Sequence, residues 1–186
     1  DLVQSPLYHQ PAPHTTHRFI HMTILTLASG STVRATLLRN AGVEKAGILA
    51  LDDAYGTGLA DALDANFTAG GGTVSEKIIY NPQAAEFSAE VGKLKASKPG
   101  AIAVIGFEES VKIIQELIKQ GIGPDKVQLY LVDGNLTNTL GEGLPDGILE
   151  GTKGTLPGAQ ASDELRAALL EVDPALVDFS YAAESY

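Results

Sequence analysis

From residue 45 onward, short apolar runs alternate with stretches in which apolar residues recur every third or fourth position. Lys45–Leu51 (KAGILAL) has the length of a strand and gives way to the polar loop Asp52–Gly56. Thr57–Ala69 then carries Leu59, Leu63 and Phe67 at every fourth position, which is one face of a helix, and Gly70–Gly72 ends it. Thr73–Tyr80 (TVSEKIIY) predicts the next strand, with Asn81–Pro82 as its turn. Glu86–Ser97 predicts a helix with Phe87, Val91 and Leu94 inward, broken at Lys98–Pro99–Gly100. Ala101–Gly106 (AIAVIG) is nearly all apolar, as a strand covered on both faces must be. Glu109–Gln120 predicts a helix that turns Val111, Ile114, Leu117 and Ile118 inward and Glu116 and Lys119 outward, closed by Gly121 and Pro124. Val127–Val132 (VQLYLV) is a further strand running into Asp133–Gly134–Asn135. Ile148–Lys153 and Thr155–Leu156 read as two shorter β pieces before a last helix near Asp163–Glu171.

The flanks are less regular. Leu27, Val33, Leu37 and Leu38 predict a helix over Thr23–Asn40, weakened at Gly30 and stopped at Gly42. Residues 1–18 hold three prolines and three of the four histidines without either periodicity, and read as an extended arm or linker. Phe179–Tyr186 reads as the start of a helix.

Strands alternating with amphipathic helices imply βαβ units, a mostly parallel doubly wound sheet and a three-layer αβα architecture, so the fold class is α/β. In such sheets ligands bind beyond the carboxyl ends of the strands, where loops line a crevice and helix N-termini face it. Asp52, Asp53 and Tyr55 follow the first buried strand. Phe107, Glu108, Glu109 and Ser110 follow AIAVIG, and Asp133, Gly134 and Asn135 follow VQLYLV. Aromatic rings beside one carboxylate suit a small molecule with an ammonium group and an apolar part: the carboxylate pairs with the ammonium, and the rings cover the stem. Each residue also has a structural use. Asp133 suits the cap of a helix starting near Leu136, and Asp52 suits a loop or cap. Phe107 suits a core position and Tyr55 the core's edge. Glu108 and Glu109 suit a solvated helix N-terminus.

Composition narrows the classes. With 13 basic and 23 acidic residues among 186, the formal net charge is −10, and no basic stripe exists to displace counterions from nucleic acid or to dock on anionic lipid. No apolar run approaches the roughly 20 residues of a spanning helix, so no membrane insertion is expected of this chain. The absence of cysteine excludes disulfides, thiolate chemistry and Cys-ligated metals. The chain begins at Asp1 without a leader, which predicts processing or excision from something longer.

Enzyme motifs fail in turn. Gly56-Thr57-Gly58 is followed by Asp61 where a dinucleotide fingerprint needs glycine, and Gly151–Gly158 lacks the lysine of a phosphate loop. Ser29 and Ser31 flank Gly30 without forming a nucleophile elbow. His9, His14, His17 and His21 lie in an irregular region without H-E-x-x-H spacing, so no metal is expected. No cofactor and no catalytic group is expected either. Asn66-Phe67-Thr68 and Asn135-Leu136-Thr137 match the glycosylation sequon.

Taken in order, D-D-x-Y-G-x-G at 52–58, the glycines at 70–72, F-S-A-E-V-x-K-L-K at 87–95, VDGNL at 132–136, GTLPG at 154–158 and YAAESY at 181–186 form a pattern. From Phe19 to Tyr186 the chain resembles type I periplasmic solute-binding proteins, in the branched-chain amino-acid branch that serves ABC transporters. The resemblance implies two α/β lobes joined by three crossovers, with the ligand clamped between them, and maps this chain onto the second lobe. Residues 1–18 would then be the inter-lobe arm, 19–180 the ligand-binding lobe and 181–186 the start of a crossover helix toward a first lobe. It further implies a small amino-acid ligand, a membrane permease as partner, an extracytoplasmic location and no catalysis. Tyr55, Phe107 and Asp133 stand where relatives line this side of the cleft, with Asp133 holding the ligand's ammonium and Asp53, Glu108 and Gly134 beside them. Asp replaces a longer Glu there, Phe107 lacks a hydroxyl, and Ser5–His9 departs from the small polar residues that meet the ligand carboxylate in relatives, so a different substrate fits as well. A sensory domain of a receptor or regulator shares the fold, and a flavodoxin- or Rossmann-type enzyme is a more distant alternative.

Overall fold

The computed structural model describes residues 23–26, 38–137, 139–156 and 162–176. Its strands are β1 (Thr23–Thr26), β2 (Lys45–Leu51), β3 (Thr73–Tyr80), β4 (Ala101–Ile105), β5 (Gln128–Leu131) and β6 (Lys153–Leu156). The helices are α1 (Ala54–Ala69), α2 (Ser88–Ala96), α3 (Ser110–Lys119) and α4 (Asp163–Val172), and Asp133–Asn135 makes one 3-10 turn. All six strands are parallel and form a single sheet in the order β1-β6-β5-β4-β2-β3.

The apolar runs occupy the middle. Every residue of β4 is buried, as is every residue of β2 after Lys45. Residues in register share a face. Ile48 pairs with Lys77 of β3 and with Ala103 of β4, and Lys77 reaches Asp61 and Asp64 of α1, so α1 covers that face. Gly47 points the other way, and a Cβ there would come within 2.2 Å of Leu94 Cδ1, so α2 lies against the opposite face. Helices on both faces make the three-layer αβα arrangement that the alternation predicts. The buried faces of the three central helices are supplied by Leu63 and Phe67, Val91 and Leu94, and Ile113, Ile114 and Leu117.

The strand order places the crevice. From β2 the chain passes through α1 to β3 on one side, then through α2 to β4 on the other. Helices that leave neighbouring strands in opposite directions open a gap at the carboxyl ends, here between β2 and β4.

Two predicted elements differ. Thr23–Thr26, expected to open a helix, is instead β1, paired with Lys153–Leu156, and helix is present only at residues 38–40 of the described part of that stretch. Thr23, Ile24 and Thr26 are β-branched, and a free sheet edge beside β6 lets that preference prevail over the spacing of the leucines. Ile148–Lys153 is not a strand up to Lys153: Gly147 (φ 75°) and Gly151 (φ 82°) adopt left-handed backbone that ends successive turns, with Glu150 N bonded to Gly147 O and Thr152 N to Leu149 O. A single strand therefore starts at Lys153. The predicted arm at 1–18 and the helix start at 181–186 lie outside the described residues. Among the described residues no helix is long and apolar enough to cross a membrane.

Candidate functional site

Three strand ends meet in the crevice. Beyond β2, Asp53 takes an extended backbone and its carboxylate accepts from Gly56 N at 2.6 Å, capping α1. A Cβ on Gly56 would sit 2.2 Å from Leu51 O, so only glycine lets α1 begin this close to the strand. Tyr55 is thereby held in the first turn of α1. Its ring stacks on Phe107, beyond β4, with centroids 5.4 Å apart and planes 28° from parallel. Its hydroxyl donates to Asp133 Oδ1, beyond β5, at 3.0 Å. Phe107 remains 43% exposed, unusual for so large an apolar ring. The result is a partly open aromatic shelf with a carboxylate at one end.

Two hydrogen-bond networks support the shelf. Glu109 Oε1 accepts from the backbone N–H of Phe107 at 3.1 Å and from the Tyr80 hydroxyl at 2.8 Å; that hydroxyl also lies 3.1 Å from Ile105 O. Burial, reinforced by the bond to Glu109, holds Tyr80 far above the ordinary tyrosine range, so it stays a neutral donor. Asn135 supplies the second network. Its Oδ1 accepts from Val132 N at 2.9 Å, and its Nδ2 donates to Val104 O at 2.9 Å and to Ser110 Oγ at 3.1 Å. Gly134 lies under Phe107: a Cβ there would meet Gly106 O at 2.7 Å and Phe107 Cε1 at 2.9 Å.

The structure thus brings Tyr55, Phe107 and Asp133 together, with Gly134 directly beneath. Asp53 is spent on the helix cap, while Asp52 and Glu108 are exposed on the neighbouring loops. Three structural readings are corrected. Asp133 caps no helix near Leu136, because the chain makes only a 3-10 turn there. Phe107 is not core, and Glu109 is not merely solvated, since it is half-buried and bonded to Tyr80. Asn135, in the sequon at 135–137, is 1% exposed with its carboxamide fully bonded, leaving no room for a glycan in the folded chain. The supporting roles of Asn135, Glu109 and Tyr80 were not predicted; the only hint was the place of Asn135 and Glu109 just beyond strand ends. The four histidines lie outside the described residues, among which no cluster of three metal-ligating side chains occurs.

A second hollow of about 460 Å³ opens at the opposite, amino end of the sheet, lined by Glu44, Lys45, Lys98, Gln128 and Lys153 among others. Helix C-termini gather at that end. Lys45 donates to Ser97 O beyond α2, and Lys95 donates to Gln120 O beyond α3 at 2.7 Å. Lysines placed there satisfy terminal carbonyls and the negative ends of helix dipoles, an account that needs no ligand.

A family model described as periplasmic binding protein matches residues 4–169. The search of curated proteins returned no match. Among solved structures, a type 1 periplasmic binding protein from Bordetella pertussis Tohama I is 24% identical, with a TM-score of 0.65, covering 76% of this chain and 37% of its own. A Rhodopseudomonas palustris solute-binding protein of an ABC transporter, in complex with 4-hydroxybenzoate, is 18% identical with a TM-score of 0.63, covering 80% and 41%. A leucine-binding protein from Thermotoga maritima is 21% identical with a TM-score of 0.58, covering 76% and 41%. The chain therefore spans less than half the length of each of these three structures.

Proposed function

This chain belongs to the periplasmic binding protein family, and from that premise we propose that it is one lobe of an extracytoplasmic solute receptor. The receptor binds a small amino acid, of branched-chain type, between two lobes and delivers it to an ABC permease; it does not catalyse. The observation that carries this reading is the meeting of Tyr55, Phe107 and Asp133 at the switch point of the sheet. Asp133 offers a carboxylate already aimed by the Tyr55 hydroxyl, so an incoming ammonium meets an acceptor whose rotamer is set in advance. The stacked rings offer an apolar surface for an aliphatic stem, and the exposed part of Phe107 leaves water when the stem covers it. Hinge closure onto a second lobe would then complete burial of the solute and signal occupancy.

The leucine-binding relative from Thermotoga maritima supports an amino-acid ligand. The relative in complex with 4-hydroxybenzoate supports a second reading, an aromatic acid lying on the same shelf with its carboxylate turned away from Asp133. Amide NMR titration of the chain at millimolar ligand separates the two. With leucine, saturable shifts centred on Tyr55, Phe107 and Asp133 are expected, and Asp133→Ala should weaken them about 10- to 100-fold, the worth of a hydrogen bond to a charged group. A response to 4-hydroxybenzoate that survives Asp133→Ala, with none to leucine, would replace the first reading by the second.

A further inference from the structure

We infer that Asn135 is the positioning residue of this site, the side chain that sets where Asp133 stands relative to the Phe107 shelf. The inference rests on reading Tyr55, Phe107 and Asp133 as the ligand wall. The β4–β5 ladder runs in register to its last pair, Val104 with Leu131. Beyond it the chain turns away from β4, which would leave Val104 O and Val132 N in need of partners inside the protein. The Asn135 carboxamide takes both, donating to the first and accepting from the second, each at 2.9 Å. Its remaining N–H reaches Ser110 Oγ, on the first residue of α3, at 3.1 Å. Only one orientation of the amide satisfies a donor on one side and an acceptor on the other, so the side chain is fixed in roll as well as in place.

What Asn135 joins is what the site needs joined. Val104 belongs to the strand that delivers Phe107, and Ser110 opens the helix that follows Phe107. Val132 and Gly134 flank Asp133. With Gly134 wedged beneath the Phe107 ring and Asn135 locked one residue later, the turn has little freedom. Asp133 Oδ1 therefore stays within 3.0 Å of the Tyr55 hydroxyl while the Tyr55 and Phe107 rings stay stacked. Asn135 itself is buried and does not line the crevice.

The test compares Asn135→Ala and the isosteric Asn135→Asp with Val91→Ala, which truncates a fully buried, wholly apolar side chain of α2. NMR reads two things in each variant: cross-peaks between the Tyr55 and Phe107 rings, and the concentration of leucine at half-maximal shift. Asn135→Asp fills the same space and keeps the acceptor for Val132 N while removing the amide donor to Val104 O, so it reports where the cavity left by Asn135→Ala prevents folding. The expected result is loss of the ring cross-peaks and roughly tenfold weaker leucine response in the Asn135 variants, with both preserved in Val91→Ala at equal or greater loss of thermal stability. Intact ring cross-peaks and an unchanged leucine response in a destabilised Asn135 variant would reduce the residue to an ordinary core group and overturn the inference. Loss of the ring cross-peaks in a chain whose wild type ignores leucine supports the positioning role and instead sinks leucine as the ligand.

Discussion

Gly134 occupies a crowded position in the crevice, and its backbone does not require glycine, since it is not among the residues with positive φ. The constraint is room: the nearest obstacle to a Cβ is a backbone oxygen, Gly106 O at 2.7 Å, which cannot rotate aside as a side chain could. Gly134→Ala should therefore push the turn away from β4 or tip the Phe107 ring, at a cost of about 1–3 kcal/mol, the usual range for overpacking. Chemical denaturation should show that loss, and the Tyr55–Phe107 cross-peaks should weaken with it. An alanine variant as stable as wild type with unchanged ring contacts would mean the loop is slack. Tyr55, Phe107 and Asp133 were legible in the sequence because each stands just past the end of an apolar run, and parallel strands bring such ends together. Asn135 and Glu109 were legible only as neighbours of those residues. Their partners Val104, Ser110 and Tyr80 lie 25 to 31 residues away along the chain, and no local pattern announces which polar side chain will meet them.

At the scale of elements, helix starts carry function unequally. Asp53 caps α1 and Ser162 caps α4 by the same kind of bond, to Gly56 N and Leu165 N respectively. Tyr55 rides in the first turn of α1, whereas α4 has no buried residue and carries none of the shelf residues. Both Asp53→Ala and Ser162→Ala should lower helix or global stability by about 1 kcal/mol. Only Asp53→Ala should also loosen Tyr55, reducing its ring contacts with Phe107 and weakening ligand response. Equal effects of the two variants on the site would show that Tyr55 is held by its stack and hydroxyl bond rather than by the cap. The same contrast explains which elements could be read in advance. β4, α1 and α3 declare themselves because each carries its apolar run or apolar face within its own length. β1 does not: its pairing is settled by β6, about 130 residues further along the chain, so a four-residue stretch beside spaced leucines reads as helix.

Among the described residues, charge is unevenly distributed along the strands. The loops at the carboxyl ends of β2, β4 and β5 carry Asp52, Asp53, Glu108, Glu109 and Asp133, and no basic residue. Lys45, Lys98, Lys126 and Lys153 stand at or just before the amino ends of β2, β4, β5 and β6, offset in part by Glu44 and Asp125. Part of this serves the fold, since carboxylates favour helix N-termini and ammonium groups favour C-termini. It also places a negative field over the crevice, on a chain whose net charge is already −10. A unit charge about 7 Å from one such carboxylate gains about 0.6 kcal/mol in water, close to a threefold change in affinity, and several carboxylates act together. Leucine, leucinamide and 4-methylpentanoate share the same isobutyl group and differ in net charge. In a titration at low salt, leucinamide should reach half-saturation at a concentration roughly threefold or more below leucine, and 4-methylpentanoate should bind weakest. Near 1 M salt, where screening acts over about 3 Å, the gap between leucinamide and leucine should close while the contribution of the Asp133 contact persists. If 4-methylpentanoate equalled leucine at low salt, the field of this lobe would not be reaching the ligand, and Asp133 could not be the group that holds its ammonium.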